Sequence, residues 1–245
     1  MAYPVIVGGN GHSGTRIFAE VLDEAGVHMG IPGLTRAKPS YDLNVRRLLN
    51  RWCGPYLRQE LTPSQRRAME REFRFALRVY FPWRGRPWGF KNPRSMFLLP
   101  FYDQIFPDMR FVHVIRDGRD VTLGNKLAGN PEYISAFLGN DMPGQTAEER
   151  MIEFWGRSNA KAQDYGTRSM PGRYLLMRFE DLCERPMENA TRLLEFAGAD
   201  AAQAVKLVQL IQKPKSVGRW AQYSDAVISR IQEGGQPWLN RYGYG

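Results

Sequence analysis

Only two cysteines, Cys53 and Cys183, occur in 245 residues, too few for a disulfide framework and without the partners a zinc site needs. Histidine is also scarce, with three in the chain, and no His, Cys, Asp and Glu fall at metal-ligand spacing, so no metal is expected. No run of about 18 apolar residues occurs, which excludes a helical membrane span. Met1-Ala2-Tyr3 leads straight into an apolar segment, without a basic stretch and apolar core such as a signal peptide carries, so a soluble, cytoplasmic chain is expected. Repeats, low-complexity tracts and linkers are lacking too, and residues 1–245 are expected to form a single domain.

What is present suits an α/β domain with one large core: 43% of residues are hydrophobic and 24% charged. The formal net charge of +9 favours acidic ligands, although most of the Lys and Arg residues are expected on solvated faces.

The chain is organised around its first segment. Pro4 to Val7 reads as a buried strand, Gly8, Gly9, Gly11 and Gly14 allow a tight turn, and Ile17, Phe18, Val21, Leu22 and Ala25 recur at helical spacing before Gly26. Strand, glycine loop and helix together aim backbone N–H groups and a helix dipole at one anion, most simply a phosphate or sulfate. The lysine and hydroxyl that close a Walker A motif are missing, since Thr15 and Arg16 follow Gly14. Ordinary ATP or GTP hydrolysis is therefore poorly supported. Gly9, Gly11 and Gly14 match a dinucleotide fingerprint by letter only, because no acidic residue ends a second strand about 20 residues on.

Further along, the segment from Val27 to Tyr41 is irregular, and Asp42 opens a helical pattern through Trp52. Thr62-Pro63-Ser64-Gln65 is a helix start, with the helix expected to reach about Tyr80. Residues 87 to 95 read as a short strand ending in polar residues, which places Lys91 at a sheet's carboxyl edge, with a helix expected over Met96 to Phe106. Arg110 to Ile115 is another strand, and Arg116-Asp117-Gly118-Arg119-Asp120 leads into a helix through about Ala128. Asn130 to Gln145 reads as a polar lid or acceptor loop, and Thr146 starts a long helix to about Thr167. Phe154, Trp155 and His113 read as core, Arg173 to Phe179 as a strand, and Glu180 and Asp181 as loop-orienting or capping carboxylates. A basic stretch, Lys213, Lys215, Ser216 and Arg219 with Trp220, reads equally well as an exposed loop or as a ligand contact.

Gly9 to Arg16, and still more Phe111 to Val121 (FVHVIRDGRDV), resemble the 5′-phosphosulfate loop and 3′-phosphate segment of the sulfotransferases that use 3′-phosphoadenosine-5′-phosphosulfate (PAPS). Lys91-Asn92-Pro93-Arg94 is similar to the K-D-P motif of the tyrosylprotein and bacterial branches; Tyr174 to Leu182, Lys213 to Trp220 and the Gly-Tyr near the end extend the resemblance over most of the chain.

The resemblance implies a three-layer, P-loop-like fold with a parallel sheet flanked by helices. It implies sulfuryl transfer from PAPS to a hydroxyl or amine, leaving adenosine 3′,5′-bisphosphate. Gly11, His12, Ser13, Gly14, Thr15 and Arg16 would then hold the 5′ end, and Arg116 with Lys213, Lys215 and Arg219 the rest of the nucleotide. Trp220 or Trp88 would stack on adenine. Lys91 would meet the charge on the leaving oxygen, and Asp42 is the leading base, with His28 the other choice.

Three departures stand out. His12 replaces the usual Arg or Lys of the first loop and joins Lys91 and Asp42 as a catalytic candidate; Gly124 replaces a serine, whose contact Thr122 or Asn125 would supply; and Pro93 replaces the histidine base of the small-phenol branch. The acceptor is left open among small molecules, saccharides, lipids and peptides, with no nucleic acid expected. A P-loop nucleotide kinase and a non-catalytic nucleotide or RNA-binding module are the alternatives.

Overall fold

Alternation along the strands decides which helices cover which face. In β1 (Pro4–Gly9) Val5 and Val7 point one way and Ile6 the other, and in β3 (Arg110–Ile115) Val112 and Val114 oppose Phe111. A computed structural model describes residues 3–30, 43–78, 85–124, 131–139 and 145–245. Its parallel sheet has the order β2-β1-β3-β4, with β2 at Trp88–Lys91 and β4 at Tyr174–Arg178.

The valine face packs against α1 (Thr15–Glu24) and α9 (Pro186–Ala197) through Phe18, Leu22, Leu193 and Leu194. The opposite face, with Phe90 of β2, packs against α2 (Leu43–Leu57), α3 (Pro63–Ala76) and α4 (Leu99–Ile105) through Leu49, Phe73 and Tyr102. This is the expected α/β sandwich of a parallel sheet between helical layers. Among the described residues no helix is long and apolar enough to cross a membrane.

A third cluster closes the β4 side. Trp155 of α7 (Ala147–Ser169) is fully buried with Ile115, Val121, Tyr242 and Tyr244, the last two following α11 (Asp225–Arg241). Both Thr62 and Thr146 make the capping boxes read from the sequence.

Several boundaries differ from expectation. The helix beginning at Pro63 ends at Ala76 rather than near Tyr80. The helix expected from Met96 is divided: residues Pro93–Leu98 form a 3₁₀ helix and α4 starts afresh at Leu99. Pro100 has no N–H to continue the earlier turn, so it sits in the first turn of the new helix. The stretch expected as an irregular lid contains α6 (Pro131–Leu138). Its short apolar pattern, Tyr133, Ile134, Phe137 and Leu138, fits a helix packed on α2 and α7.

In this strand order β1 is followed by β2 on one side and then by β3 on the other. The carboxyl ends of β1 and β3 therefore flank a topological switch point, where open α/β sheets bind ligands. The glycine loop leaves β1 there.

Candidate active site

At the end of β1 the backbone must turn at once into α1. His12 takes the left-handed conformation (φ 67°), as does Gly14 (φ 80°). A Cβ on Gly14 would come within 2.2 Å of Phe179, so this position needs glycine for space as well as torsion. Gly11, by contrast, has open space where a side chain would stand. The Ser13 N–H donates to the Asn10 carbonyl at 3.2 Å, closing the turn that opens the N-terminus of α1.

The second basic turn reaches the same place. Arg116, just past β3, donates from Nη1 to the His12 carbonyl at 3.3 Å. Its Nη2 pairs with Asp120 at 3.0 Å and donates to the Ser216 carbonyl. Asp120, in α5 (Gly118–Gly124), also accepts from the backbone N–H groups of Gly218 (2.8 Å) and Trp220 (3.0 Å). One buried carboxylate thus ties the β3 turn to the later basic loop. Burial, with Arg116 and Arg219 nearby, lowers the His12 pKa below its usual value.

Lys91 ends β2, in register with Val7, and is buried. Burial and the Arg16 guanidinium lower its pKa to about 8, with Glu20 opposing them. Arg16 itself is exposed, whereas Ser13 and Thr15 are buried. Lys213 pairs with Glu184 at 3.3 Å, and Lys215 stands exposed on the same loop. Arg219 lies beside Gly124: a Cβ there would be 3.6 Å from its Nη2.

Trp88 is buried against Phe106, which leaves it no free face for adenine. Trp220 carries the Arg119 guanidinium 3.8 Å above its ring. His28 bridges Trp88 at the amino end of β2, opposite the edge that carries Lys91. Asp42 and Asn125 lie outside the described residues.

His113 is fully buried in β3. Asn159 donates to the Trp155 carbonyl, so its own oxygen accepts from His113 Nε2–H at 2.9 Å, and Nδ1 accepts from the Tyr174 hydroxyl at 2.5 Å. Burial lowers this histidine to about 4. A neutral, doubly hydrogen-bonded imidazole facing the core has no route to a ligand.

Beside the loop lies a cavity of about 400 Å³. Asn10, His12, Asn92 and Arg94 form its polar wall, and Phe97 and Phe154 part of its apolar wall. Arg94 donates to the Tyr133 hydroxyl and to Asn50 Oδ1. The cavity is therefore bounded on one side by the glycine loop and on another by α6 and α7.

Three residues support this arrangement: Asp120 and Trp155, whose contacts the sequence did not show, and Glu180, which it showed as a loop-orienting or capping carboxylate. Asp120 was visible only as an i,i+4 partner of Arg116. Glu180 accepts from the Asp117 N–H at 3.0 Å and from the Tyr244 hydroxyl at 2.7 Å, and burial raises its pKa despite both bonds. Trp155 holds the Arg116 carbonyl through Nε1 at 3.1 Å.

The model of the sulfotransferase family matches residues 4–203. The chain belongs to the sulfotransferase family. Solved relatives have the same fold: a sulfotransferase from Mycobacterium tuberculosis H37Rv has a TM-score of 0.56 at 15% identity, over 95% of this chain and 77% of that one. One from Mycobacterium avium has a TM-score of 0.60 at 15% identity, over 98% and 76%. The sulfotransferase domain from the curacin biosynthetic pathway has 0.60 at 11% identity, over 100% and 99%. No curated protein matches this sulfotransferase-family sequence.

Proposed function

We propose that this chain is a PAPS-dependent sulfotransferase acting in the cytoplasm as one domain over residues 1–245, on a small-molecule, saccharide, lipid or peptide acceptor. The observation that carries the reading is the Arg116 contact with the His12 carbonyl, because it brings two basic turns, distant in sequence, to one rim.

The residues at that rim fit a doubly phosphorylated adenosine. Ser13 Oγ, Arg116 Nε and Thr122 Oγ1 are buried without hydrogen-bond partners among the described residues. Such groups are costly unless a ligand satisfies them. Gly11 leaves open space above the loop, and the N-terminus of α1 faces the same side. When bound, the donor supplies a sulfuryl group activated by its bond to phosphate.

The chain's own groups then do the rest. Backbone N–H groups of Gly11, His12 and Gly14 to Arg16, with the Ser13 and Thr15 hydroxyls, hold the 5′ end, and Arg16 adds charge. Arg116, Thr122 and Arg219 hold the 3′-phosphate, with Lys213 and Lys215 on the loop that covers it. Lys91, protonated below about pH 8, stabilises charge on the departing oxygen. The acceptor hydroxyl enters from the cavity beside Asn92. His12, whose pKa partial desolvation and its cationic neighbours lower, lines that cavity and is placed to take the acceptor's proton, the role also assigned to Asp42. Transfer is in line, and positioning and charge supply most of the catalysis.

Mass spectrometry of acceptor panels incubated with PAPS tests the reading, with calorimetric binding of adenosine 3′,5′-bisphosphate as a companion. A sulfated product that depends on Lys91 is expected. A preference for ATP with magnesium would favour a nucleotide kinase, and RNA competing for the nucleotide, without any product, a binding module.

A further inference from the structure

A second and larger cavity, of about 610 Å³, lies behind the one that opens on the glycine loop, and Phe97 lines both. The rings of Phe97, Phe137 and Phe154 pack at 5.6 to 5.9 Å between centroids and form the partition. Behind it, the walls come from the end of α2, the start of α3 and the middle of α7. Tyr56, Tyr165 and Trp238 present aromatic surface to this space.

Its charges are one-sided. Arg157 and Asp164 are already used, by Glu153 and Arg241 respectively. Arg66, Lys161 and Arg168 are exposed at the lining, and none of them forms an ion pair among the described residues. Arg66 and Lys161 instead sit 5.9 and 5.3 Å from the ring centroids of Tyr56 and Phe137. Cations held over aromatic faces around an apolar hollow suit a ligand with a ring or chain and an acidic group. The size is within the range of small-molecule sites.

We propose that this rear cavity is a second small-molecule site, separate from the nucleotide and acceptor positions, that takes an anionic aromatic or long-chain amphiphile. The apolar part lies among Tyr56, Phe97 and Trp238, and the acidic group meets Lys161, Arg168 and Arg66. Nothing in this depends on the donor being PAPS.

Fluorescence titration with anilinonaphthalene sulfonate tests the site, with uncharged N-phenylnaphthylamine as the control for charge. One saturable site is expected on the full chain, weakened roughly tenfold, about 1.4 kcal/mol, by Lys161→Glu with Arg168→Glu, because exposed charges contribute modestly. Both positions are exposed, so circular dichroism and melting should be unchanged, and Arg94→Ala in the front cavity should leave the affinity as it was. Equal affinity in the double variant, equal binding of the uncharged probe, or displacement by adenosine 3′,5′-bisphosphate would overturn the proposal.

Discussion

Gly124 and Arg219 meet across the rim of the site: a Cβ on the glycine would lie 3.6 Å from the guanidinium Nη2, an ordinary contact. A serine is usual at this position in the family the chain resembles, and here a long cation from another loop fills the space. On the proposed reading Arg219 takes over the missing hydroxyl's role. Arg219→Ala should therefore weaken adenosine 3′,5′-bisphosphate binding about tenfold. Gly124→Ser should recover part of that loss in the Arg219→Ala background and do little alone. Calorimetry on the four proteins of the cycle measures the coupling, and strictly additive effects would show that the two positions do not share a phosphate.

Glu180 and Tyr244 support the same rim from behind. The Tyr244 hydroxyl donates to Glu180, whose other oxygen holds the Asp117 N–H, and Arg119 joins Asp117 to the Tyr244 carbonyl at 2.8 Å. Tyr244→Phe leaves a buried carboxylate with one bond fewer, and stability should drop by about 1 to 3 kcal/mol. Urea denaturation reads this directly. Nucleotide affinity should fall as well, because the Arg116 turn loses its brace, whereas an unchanged midpoint would mean that water replaces the phenol.

Much of the site could be read from the sequence because its signals are local. Glycine spacing, the apolar repeat from Ile17 to Ala25 and the capping boxes at Thr62 and Thr146 each act within one or two turns. The helix α6 was not legible, since its eight residues lie in a stretch punctuated by Pro131, Gly139, Pro143 and Gly144 that reads as loop. Nor was the division at Pro100, where one imino acid decides between a continuous helix and a restart. The contacts of Asp120 and Glu180 span 98 and 63 residues, distances that no periodicity encodes.

His113 gives a pH signature in stability. Its pKa is about 4 in the fold against 6.5 when free, so between those values the unfolded chain binds the extra proton. Stability from this group is thus full above pH 6.5 and is lost as pH falls toward 4, by roughly 3 kcal/mol. His113→Gln, which keeps polar atoms near Asn159 and Tyr174, should be less stable at pH 7 but show a shallower decline on acidification. Denaturant titrations from pH 7 to 4.5 compare the two slopes, and parallel slopes would show that His113 is not the group responsible.

Lys91 separates chemistry from binding. It is buried at the carboxyl end of β2, and burial together with Arg16 leaves its pKa at about 8 rather than 10.5. On the proposed reading, charge on the departing oxygen is small in bound PAPS and develops in the transition state, so an ammonium aimed there accelerates the step more than it tightens donor binding. Lys91→Ala should lower kcat about a hundred- to a thousandfold while changing PAPS affinity little. The sign with pH follows from the same proton: as pH rises through about 8 the ammonium becomes a neutral amine, and kcat should fall. A profile of kcat from pH 6 to 10 at saturating substrates tests this. If kcat kept rising through pH 9, or Lys91→Ala retained full turnover, the departing oxygen would have to be stabilised by another group at the rim, with Arg16, whose charge already acts on Lys91, the cation to test next.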